Sequence, residues 1–314
     1  MNEDRQDCVS AQVMLYNEKT RRRAVPQGGD DLENIAVVTD STSDLSQLTA
    51  VAHGITIVPL SVIHQGVVYQ DGIDITPDKF YPMLTATDEL PKTSQPTPQQ
   101  FKGLYEQLLE SSEEILSIHI SGALSSTADV ARSAAESLAK DRIHVVDSGF
   151  LSYGLAFQAL EAARLAQEGR SIQEILSRVS RLKEKTELLF TLETLHYLYK
   201  GGRIGKVSSL MGSLLGIKPV IRVENGAYVA AGRTRSIKQA LKAIADFLAS
   251  TYRGQKVVVA VGHGQARDRA LMLSEMLGSV LNIAVEPAFF EVGPVIGVHT
   301  GPGTVGVAVR PLEY

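Results

Sequence analysis

Apolar residues along this chain form short strand-like runs that alternate with longer amphipathic segments. Residues 35–39, 55–58 and 115–120 are β-rich apolar runs, whereas 98–111 and 126–140 carry apolar residues at helical spacing. Helices of this length between strands imply a mostly parallel sheet with helices on both faces. The pattern therefore predicts an α/β domain over residues 34–169.

The alternation continues after Gly169 with clearer boundary signals. Ser171 and Glu174 form a capping box, which predicts a helix that runs to about residue 186. The Asn225-Gly226 pair between two apolar runs predicts a β-hairpin. Further strands are expected at 256–261, 284–292 and 305–309. These signals predict a second α/β domain over residues 170–314.

Residues 1–33 differ from the rest of the chain. They are polar, contain the basic run 19–23, and lack the apolar core of a signal peptide. We interpret them as a mobile N-terminal extension, whose basic run allows at most transient contact with a membrane surface.

Composition excludes several classes of protein. The chain has 314 residues, of which 44% are hydrophobic and 21% charged, and a net charge of -4, so it lacks the basic footprint of a nucleic-acid-binding protein. Its single cysteine, Cys8, excludes an intrachain disulfide and a cysteine metal cluster. These features fit a cytoplasmic protein, and no metal site is predicted.

Two hydroxyl-rich turns are the strongest candidates for chemistry. One is Thr93-Ser94-Gln95-Pro96-Thr97, and the other runs from Ser121-Gly122 to Thr127; each precedes a helical pattern. A helix N-terminus presents unpaired N–H groups and a positive dipole end, so such a turn can bind an anion. Ser and Thr also commonly cap helices without binding any ligand, so both interpretations stay open.

Two further positions lie between glycines at the ends of predicted elements. Arg203 in Gly201-Gly202-Arg203-Ile204-Gly205 follows a helix and can bind a carboxylate or phosphate, or it can face water at a helix end. His263 follows the strand 256–261, where ligands bind in α/β sheets, or it is a surface-loop histidine.

Common catalytic motifs do not fit this chain. Residues 301–306 match G-x-G-x-x-G, but an apolar β-like run follows them instead of a helix. There is no Walker A run, no H-E-x-x-H helix and no G-x-S-x-G elbow.

Taken together, the short motifs resemble the DegV family, the fatty-acid-binding subunits of bacterial fatty acid kinase. The stretches that carry the resemblance are 40–44 (DSTSD), 58–62 (VPLSV), 71–72 (DG), 93–96 (TSQP), 121–122 (SG), 146–148 (VDS), 191–195 (TLETL), 201–205 (GGRIG), 218–219 (KP), 263–264 (HG), 293–297 (GPVIG) and 301–303 (GPG). They occur in one order over about residues 34–314.

The resemblance implies a two-domain DegV-like fold that buries one long-chain fatty acid between its domains. It implies a carrier without its own nucleotide site or cofactor, which presents the fatty-acid carboxylate to a separate ATP-dependent kinase subunit for acyl-phosphate formation. Such acyl phosphates feed phospholipid synthesis.

The resemblance also assigns roles to individual residues. Arg203 would support phosphoryl transfer. The residues expected to bind the carboxylate are Ser61, Thr93, Ser94, Ser121, Gly122 and His263. The stretch 123–127 departs from the family pattern by one extra residue and a lost glycine, which leaves the shape of that turn open.

Burial of an acyl tail would require an apolar wall. The candidates are Phe190, Leu210, Met211, Leu214 and Leu215, all of which also suit an ordinary core. Two other functions stay open: a stand-alone small-molecule kinase or phosphotransferase, and a serine hydrolase that uses Ser94 or Ser121 with His263.

Overall fold

The computed structural model describes residues 34–86, 89–210 and 216–314. The predicted N-terminal extension (residues 1–33) lies outside the described residues, as do three of the candidate tail-wall residues, Met211, Leu214 and Leu215.

The described residues form α/β structure throughout. The strands are β1 (Ile35–Asp40), β2 (Ile55–Val58), β3 (Ser61–His64), β4 (Val67–Gln70), β5 (Lys92–Ser94), β6 (Glu114–His119), β7 (Ile143–Asp147), β8 (Glu187–Thr191), β9 (Lys218–Glu224), β10 (Ala227–Thr234), β11 (Lys256–His263), β12 (Asn282–Ile283), β13 (Ala288–Glu291) and β14 (Val305–Pro311). The helices are α1 (Gln47–His53), α2 (Pro77–Thr85), α3 (Pro98–Leu109), α4 (Thr127–Leu138), α5 (Ser152–Gln167), α6 (Ile172–Lys185), α7 (His196–Lys200), α8 (Ile237–Thr251), α9 (Arg267–Val280) and α10 (Pro294–Thr300). Short 3-10 turns cover Ser41–Ser43 and Gly205–Leu210.

The first half of the chain folds around a parallel sheet of order β2-β1-β6-β7. All six residues of β1 are buried, as expected for a central strand covered by helices on both faces. From β1 the chain crosses to β2 on one side, whereas from β6 it crosses to β7 on the other side. The loops after β1 and β6 therefore diverge at the carboxyl edge of the sheet. Ligands of α/β proteins bind in the crevice at such a switch point.

The second half folds around a larger sheet of order β10-β9-β8-β14-β11-β12, with β13 also paired to β11. Its pairings are antiparallel from β10 through β11, and only β12 and β13 lie parallel to β11. The sheet is therefore mixed, and the hairpin predicted at Asn225-Gly226 joins β9 to β10.

A third, three-stranded sheet of order β4-β3-β5 joins the two halves of the chain. Its apolar face packs with α2, and the helix α10, from the end of the chain, completes the cluster through Val295 and Val298. This sheet and α10 determine where the candidate site is built.

Most predicted elements are present, and the differences have local causes. The capping box of Ser171 and Glu174 opens α6 as predicted. Thr93 and Ser94 lie in the edge strand β5 instead of a turn, because β5 pairs with β3. The strand predicted over 284–292 is reduced to β13, and α10 was not predicted, because Gly293-Pro294 resembles a turn but supplies the helix N-cap and first residue.

The helix α5 lies between the parallel and the mixed sheets and carries much of the shared core. Its buried residues include Leu155, which has no exposed surface, and Phe157. They belong to one apolar cluster with Ile118 of β6 and Ala308 of β14. The two halves therefore share a core across the predicted boundary at residue 169.

We expect Leu155→Ala to lower the free energy of unfolding by about 2 to 5 kcal/mol, because a cavity would remain in this shared core. Leu48→Ala is the matched control, since Leu48 is also helical but 85% exposed, and it should change stability by no more than about 0.5 kcal/mol. Urea denaturation of both variants measures the difference. Equal losses of stability in the two variants would show that Leu155 does not contribute to a core shared by the two halves.

Candidate functional site

The loops after β1 and β6 are tied together by the buried carboxylate of Asp40. One oxygen, Oδ1, accepts a hydrogen bond from the Thr42 backbone N–H at 3.0 Å. The other, Oδ2, accepts the backbone N–H of Ile120 at 2.9 Å and lies 3.0 Å from Nδ1 of His119. Asp40 therefore fixes the floor of the crevice at the switch point.

The helix α10 carries His299 to the same crevice. Nε2 of His299 lies 2.9 Å from Oγ1 of Thr93 in β5, which makes a hydrogen bond between residues 206 positions apart in the chain. Burial, together with the nearby charge of Arg203, lowers the pKa of His299 from 6.5 to about 4. His299 is therefore neutral at pH 7.

Two aspartates, the partly buried Asp44 and the buried Asp71, hold the start of α10. Oδ1 of Asp44 accepts the Gly293 backbone N–H at 2.9 Å, and Asp71 accepts the backbone N–H of Val295. Burial raises the pKa of Asp44 to about 7 and that of Asp71 to about 8. His299 lies near the opposite end of this helix, so these contacts at the helix start also fix the position of His299.

The glycine-flanked turn predicted to hold Arg203 lies directly against His299. A side chain at Gly201 would clash with Nδ1 of His299, so only glycine permits this approach. The Arg203 guanidinium donates to the carbonyl of Gly201 at 2.9 Å and to that of Leu124 at 3.3 Å. The arginine thus bridges this turn and the loop after β6, and its charge faces the crevice.

Thr93, Arg203 and His299 line a cavity that we call the head cavity. Its volume is about 40 Å³. Its lining residues are Thr42, Leu60, Thr93, Ser94, Gln95, Ile120, Leu124, Ser125, Leu151, Arg203, Tyr228, Val295, Ile296 and His299. Hydroxyl side chains, among them those of Thr93, Ser94 and Ser125, therefore line the same cavity as an arginine and a neutral histidine, a set suited to an anionic oxygen.

A second cavity, which we call the tail cavity, adjoins the first and is almost entirely apolar. Its volume is also about 40 Å³. Its lining residues are Leu151, Ser152, Tyr153, Leu188, Phe190, Tyr228, Gly262, Phe290, Val292, Ile296, Thr300, Thr304, Gly306, Val307 and Ala308. Leu151, Tyr228 and Ile296 line both cavities, so a polar space and an apolar space lie side by side with a shared wall.

The structure brings together only some of the predicted site residues. Thr93, Ser94 and Arg203 line the head cavity, and Phe190 lines the tail cavity. Leu210 is buried in the neighbouring core.

The second predicted turn forms hydrogen bonds with other parts of the fold. Oγ of Ser121 donates to the carbonyl of Gly226 at 2.8 Å, and the Gly122 N–H donates to Asp147 at 3.1 Å. Ser61 pairs with Ser94 in the β3–β5 ladder. Within the part of the chain that the structure describes, these three predicted residues do not line the head cavity.

His263 lies elsewhere. It ends β11, where its ring packs 5.4 Å from that of Phe289, and it lines a wide groove of about 880 Å³ that we call the outer groove. Because β11 is held between β13 and β14, its end cannot turn toward β5. The histidine beside Thr93 is His299, whose signal in the sequence is its place three residues after Ile296 on one face of α10.

The geometry does not favour the serine hydrolase alternative, which would use Ser94 or Ser121. Ser94 and Ser121 donate to backbone carbonyls instead of a histidine, so neither of these two candidate nucleophiles is paired with a base. In residues 34–86, 89–210 and 216–314, no group of three or more His, Cys, Asp or Glu side chains is placed to hold a metal ion. None of the helices in those ranges is long and apolar enough to cross a bilayer.

The contribution of His299 to stability should fall as the pH falls from about 6.5 toward 4, because the unfolded chain then binds its proton and the folded chain does not. Asp44 and Asp71 have raised pKa values and act with the opposite sign, so the His299→Gln variant isolates the effect. We expect the stability difference between wild type and variant to shrink by about 1 to 2 kcal/mol from pH 7 to pH 5. Urea denaturation at both pH values measures it, and an unchanged difference would contradict a buried neutral His299.

Comparison with known proteins agrees with the fold. A family profile described as an uncharacterised protein of the DegV family matches residues 34–312. A DegV domain-containing protein from Deinococcus radiodurans is 40% identical over 283 residues, which cover 89% of this chain and 99% of that protein.

Solved structures extend the similarity to three dimensions. A DegV family protein from Thermus thermophilus, described by its fatty acid binding, matches with a TM-score of 0.85 and 36% identity over 89% of this chain and 100% of that chain. DegV from Bacillus subtilis, described as a fatty acid binding protein, matches with a TM-score of 0.80 and 30% identity over 89% and 99% of the two chains. On its sequence, its fold and its relatives, this chain belongs to the DegV family.

Proposed function

We propose that this protein binds one long-chain fatty acid, with the carboxylate in the head cavity and the acyl chain in the tail cavity. The observation that carries this proposal is that a polar cavity and an apolar one lie side by side and share Leu151, Tyr228 and Ile296 in their walls. The described fatty acid binding of the Thermus thermophilus and Bacillus subtilis relatives supports the same ligand class.

The head cavity suits a carboxylate because several donors converge there. If His299 donates through Nε2 to Oγ1 of Thr93, the threonine hydroxyl proton is free to donate to a ligand oxygen. The hydroxyls of Ser94 and Ser125 line the same cavity. Such partners are necessary because burial of an unpaired carboxylate is very costly.

The tail cavity supplies most of the affinity. At about 0.8 kcal/mol for each buried CH₂, a ~16-carbon chain gains on the order of 12 kcal/mol gross. Each hydrogen bond to the head contributes about 1 to 3 kcal/mol net. The head contacts therefore orient the fatty acid, and the tail retains it.

Binding must rearrange the aromatic rings that line the tail cavity. Its volume of about 40 Å³ is little more than the ~30 Å³ share of one water molecule in the liquid. The rings of Tyr153 and Phe290 are stacked 4.4 Å apart, and those of Phe190 and Tyr228 meet edge to face at 5.2 Å. We expect Tyr153 to move away from Phe290, and Phe190 and Tyr228 to separate, so that these rings line the bound chain.

We further propose that the protein presents the carboxylate to a separate ATP-dependent kinase subunit and does not itself turn over. Arg203 supports this step because it combines a positive charge at the head cavity with a turn between two glycines of positive φ, Gly202 and Gly205. A cation at this position can meet the charge that develops on a transferred phosphoryl group.

Mass spectrometry of the purified protein tests the ligand directly. Under native conditions we expect a mass increase equal to one fatty acid, which disappears under denaturing conditions because the ligand is not covalent. A covalent acyl adduct would instead indicate a hydrolase intermediate, and the absence of any lipid after incubation with fatty acid would refute binding.

Thr93→Val should weaken fatty-acid binding by about 1 to 3 kcal/mol, because it removes a donor to the carboxylate and leaves His299 without its partner. Thr39→Val is the matched control: Thr39 lies in β1, is fully buried, and its hydroxyl has no hydrogen-bond partner among the described residues. Titration with a fluorescent fatty acid measures both. Equal weakening in the two variants would mean that Thr93 acts through the fold.

Arg203→Ala should leave the bound lipid nearly intact, whereas acyl phosphorylation by the partner kinase should fall at least about tenfold, or ~1.4 kcal/mol. Lys206→Ala, in the 3-10 turn that follows, is the control for net charge. The two readouts are lipid per protein and the rate of acyl-phosphate formation at saturating kinase. Equal losses in both readouts would assign Arg203 to ligand binding alone.

A further inference from the structure

The side chain of Phe290 lies between the tail cavity and the outer groove, and it lines both. On the tail side its ring stacks on Tyr153 with centroids 4.4 Å apart and an interplanar angle of 27°. On the groove side the neighbouring wall is polar and charged, with Glu193, His263 and Glu291 among its residues. One aromatic ring therefore separates an apolar space from a polar one.

The backbone holds this ring in place. Phe290 lies in β13, whose parallel pairing with β11 sets Gly262 directly beside it. The ring packs over Gly262, and any side chain at that position would clash with it. Because the strand register and the missing Cβ together fix its position, the ring is a wall and not a mobile loop residue.

We infer that the ring of Phe290 ends the acyl-chain channel and so sets the longest fatty acid that the protein holds. This inference rests on the proposed function and adds the residue that determines its chain-length preference. The channel begins at Thr93 and His299 in the head cavity, passes the shared residues Tyr228 and Ile296, and meets Phe290 at the border of the outer groove.

The polar wall beyond the ring explains why a stop at this position matters. A chain that passed Phe290 would bring its terminal methylene groups against charged side chains, including Arg269, which forms an ion pair with Glu193 at 2.7 Å. Each CH₂ that remains within the apolar channel tightens binding by up to about fourfold, and a CH₂ beyond it gains little. The length of the channel therefore determines the chain length beyond which the affinity stops rising.

The test is the dissociation constant for a series of saturated fatty acids of about 12 to 22 carbons, measured for wild type, Phe290→Ala and Phe289→Ala. In wild type the affinity should rise with chain length and then stop rising. In Phe290→Ala this limit should move by at least about two carbons, because the space of the ring accepts further methylene groups, and the longest acids should bind about ten times more tightly than to wild type.

Phe289→Ala is the matched control, since Phe289 is the preceding residue of the same strand but lines only the outer groove of the two spaces. It should keep the wild-type limit. Phe290→Leu, which preserves an apolar side chain and protects the fold, should give an intermediate limit.

An unchanged limit in both Phe290 variants would overturn the inference, and so would an equal shift in Phe289→Ala. Wild-type protein that binds none of these acids would refute the proposed function itself, which separates the two failures. Melting temperatures of the three variants show that the binding measurements report folded protein.

Discussion

The hydrogen bond between Thr93 and His299 is the contact on which the site depends. It joins an edge strand near the start of the chain to a helix near its end, at 2.9 Å and across 206 positions. The contact requires α10 to pack on the three-stranded sheet, Asp44 and Asp71 to hold the start of that helix, and Gly201 to leave room for the imidazole. Without this arrangement the hydroxyls of β5 would face an ordinary sheet edge.

The site separates charge from apolar surface over a short distance. Charged and polar groups converge at the switch point of the parallel sheet, where Asp40 fixes the loops after β1 and β6. The aromatic and aliphatic residues lie between α5 and the mixed sheet, in the core that the two halves share. This division suits an amphipathic ligand, because the head is oriented by few directional bonds and the tail is held by non-directional burial.

Much of the fold follows from local pattern, whereas the site depends on contacts that pattern does not encode. The apolar runs predicted β1, β2 and β6, and the Ser171–Glu174 capping box predicted α6, because these signals act within a few residues. The three-stranded sheet places Thr93 in a strand, which no local signal indicates.

His299 was missed for the same reason. No local pattern predicts α10, a helix of seven residues, whereas the strand 256–261 and the glycines on either side of His263 favour that histidine. Tertiary packing of α10 decides which of the two histidines reaches Thr93.

A crystal structure of the protein with a bound ~16-carbon saturated fatty acid tests this account most directly. The account predicts a carboxylate oxygen about 2.7 Å from Oγ1 of Thr93 and an acyl chain that passes Tyr228 toward Phe290. A carboxylate bound at His263 in the outer groove would contradict it.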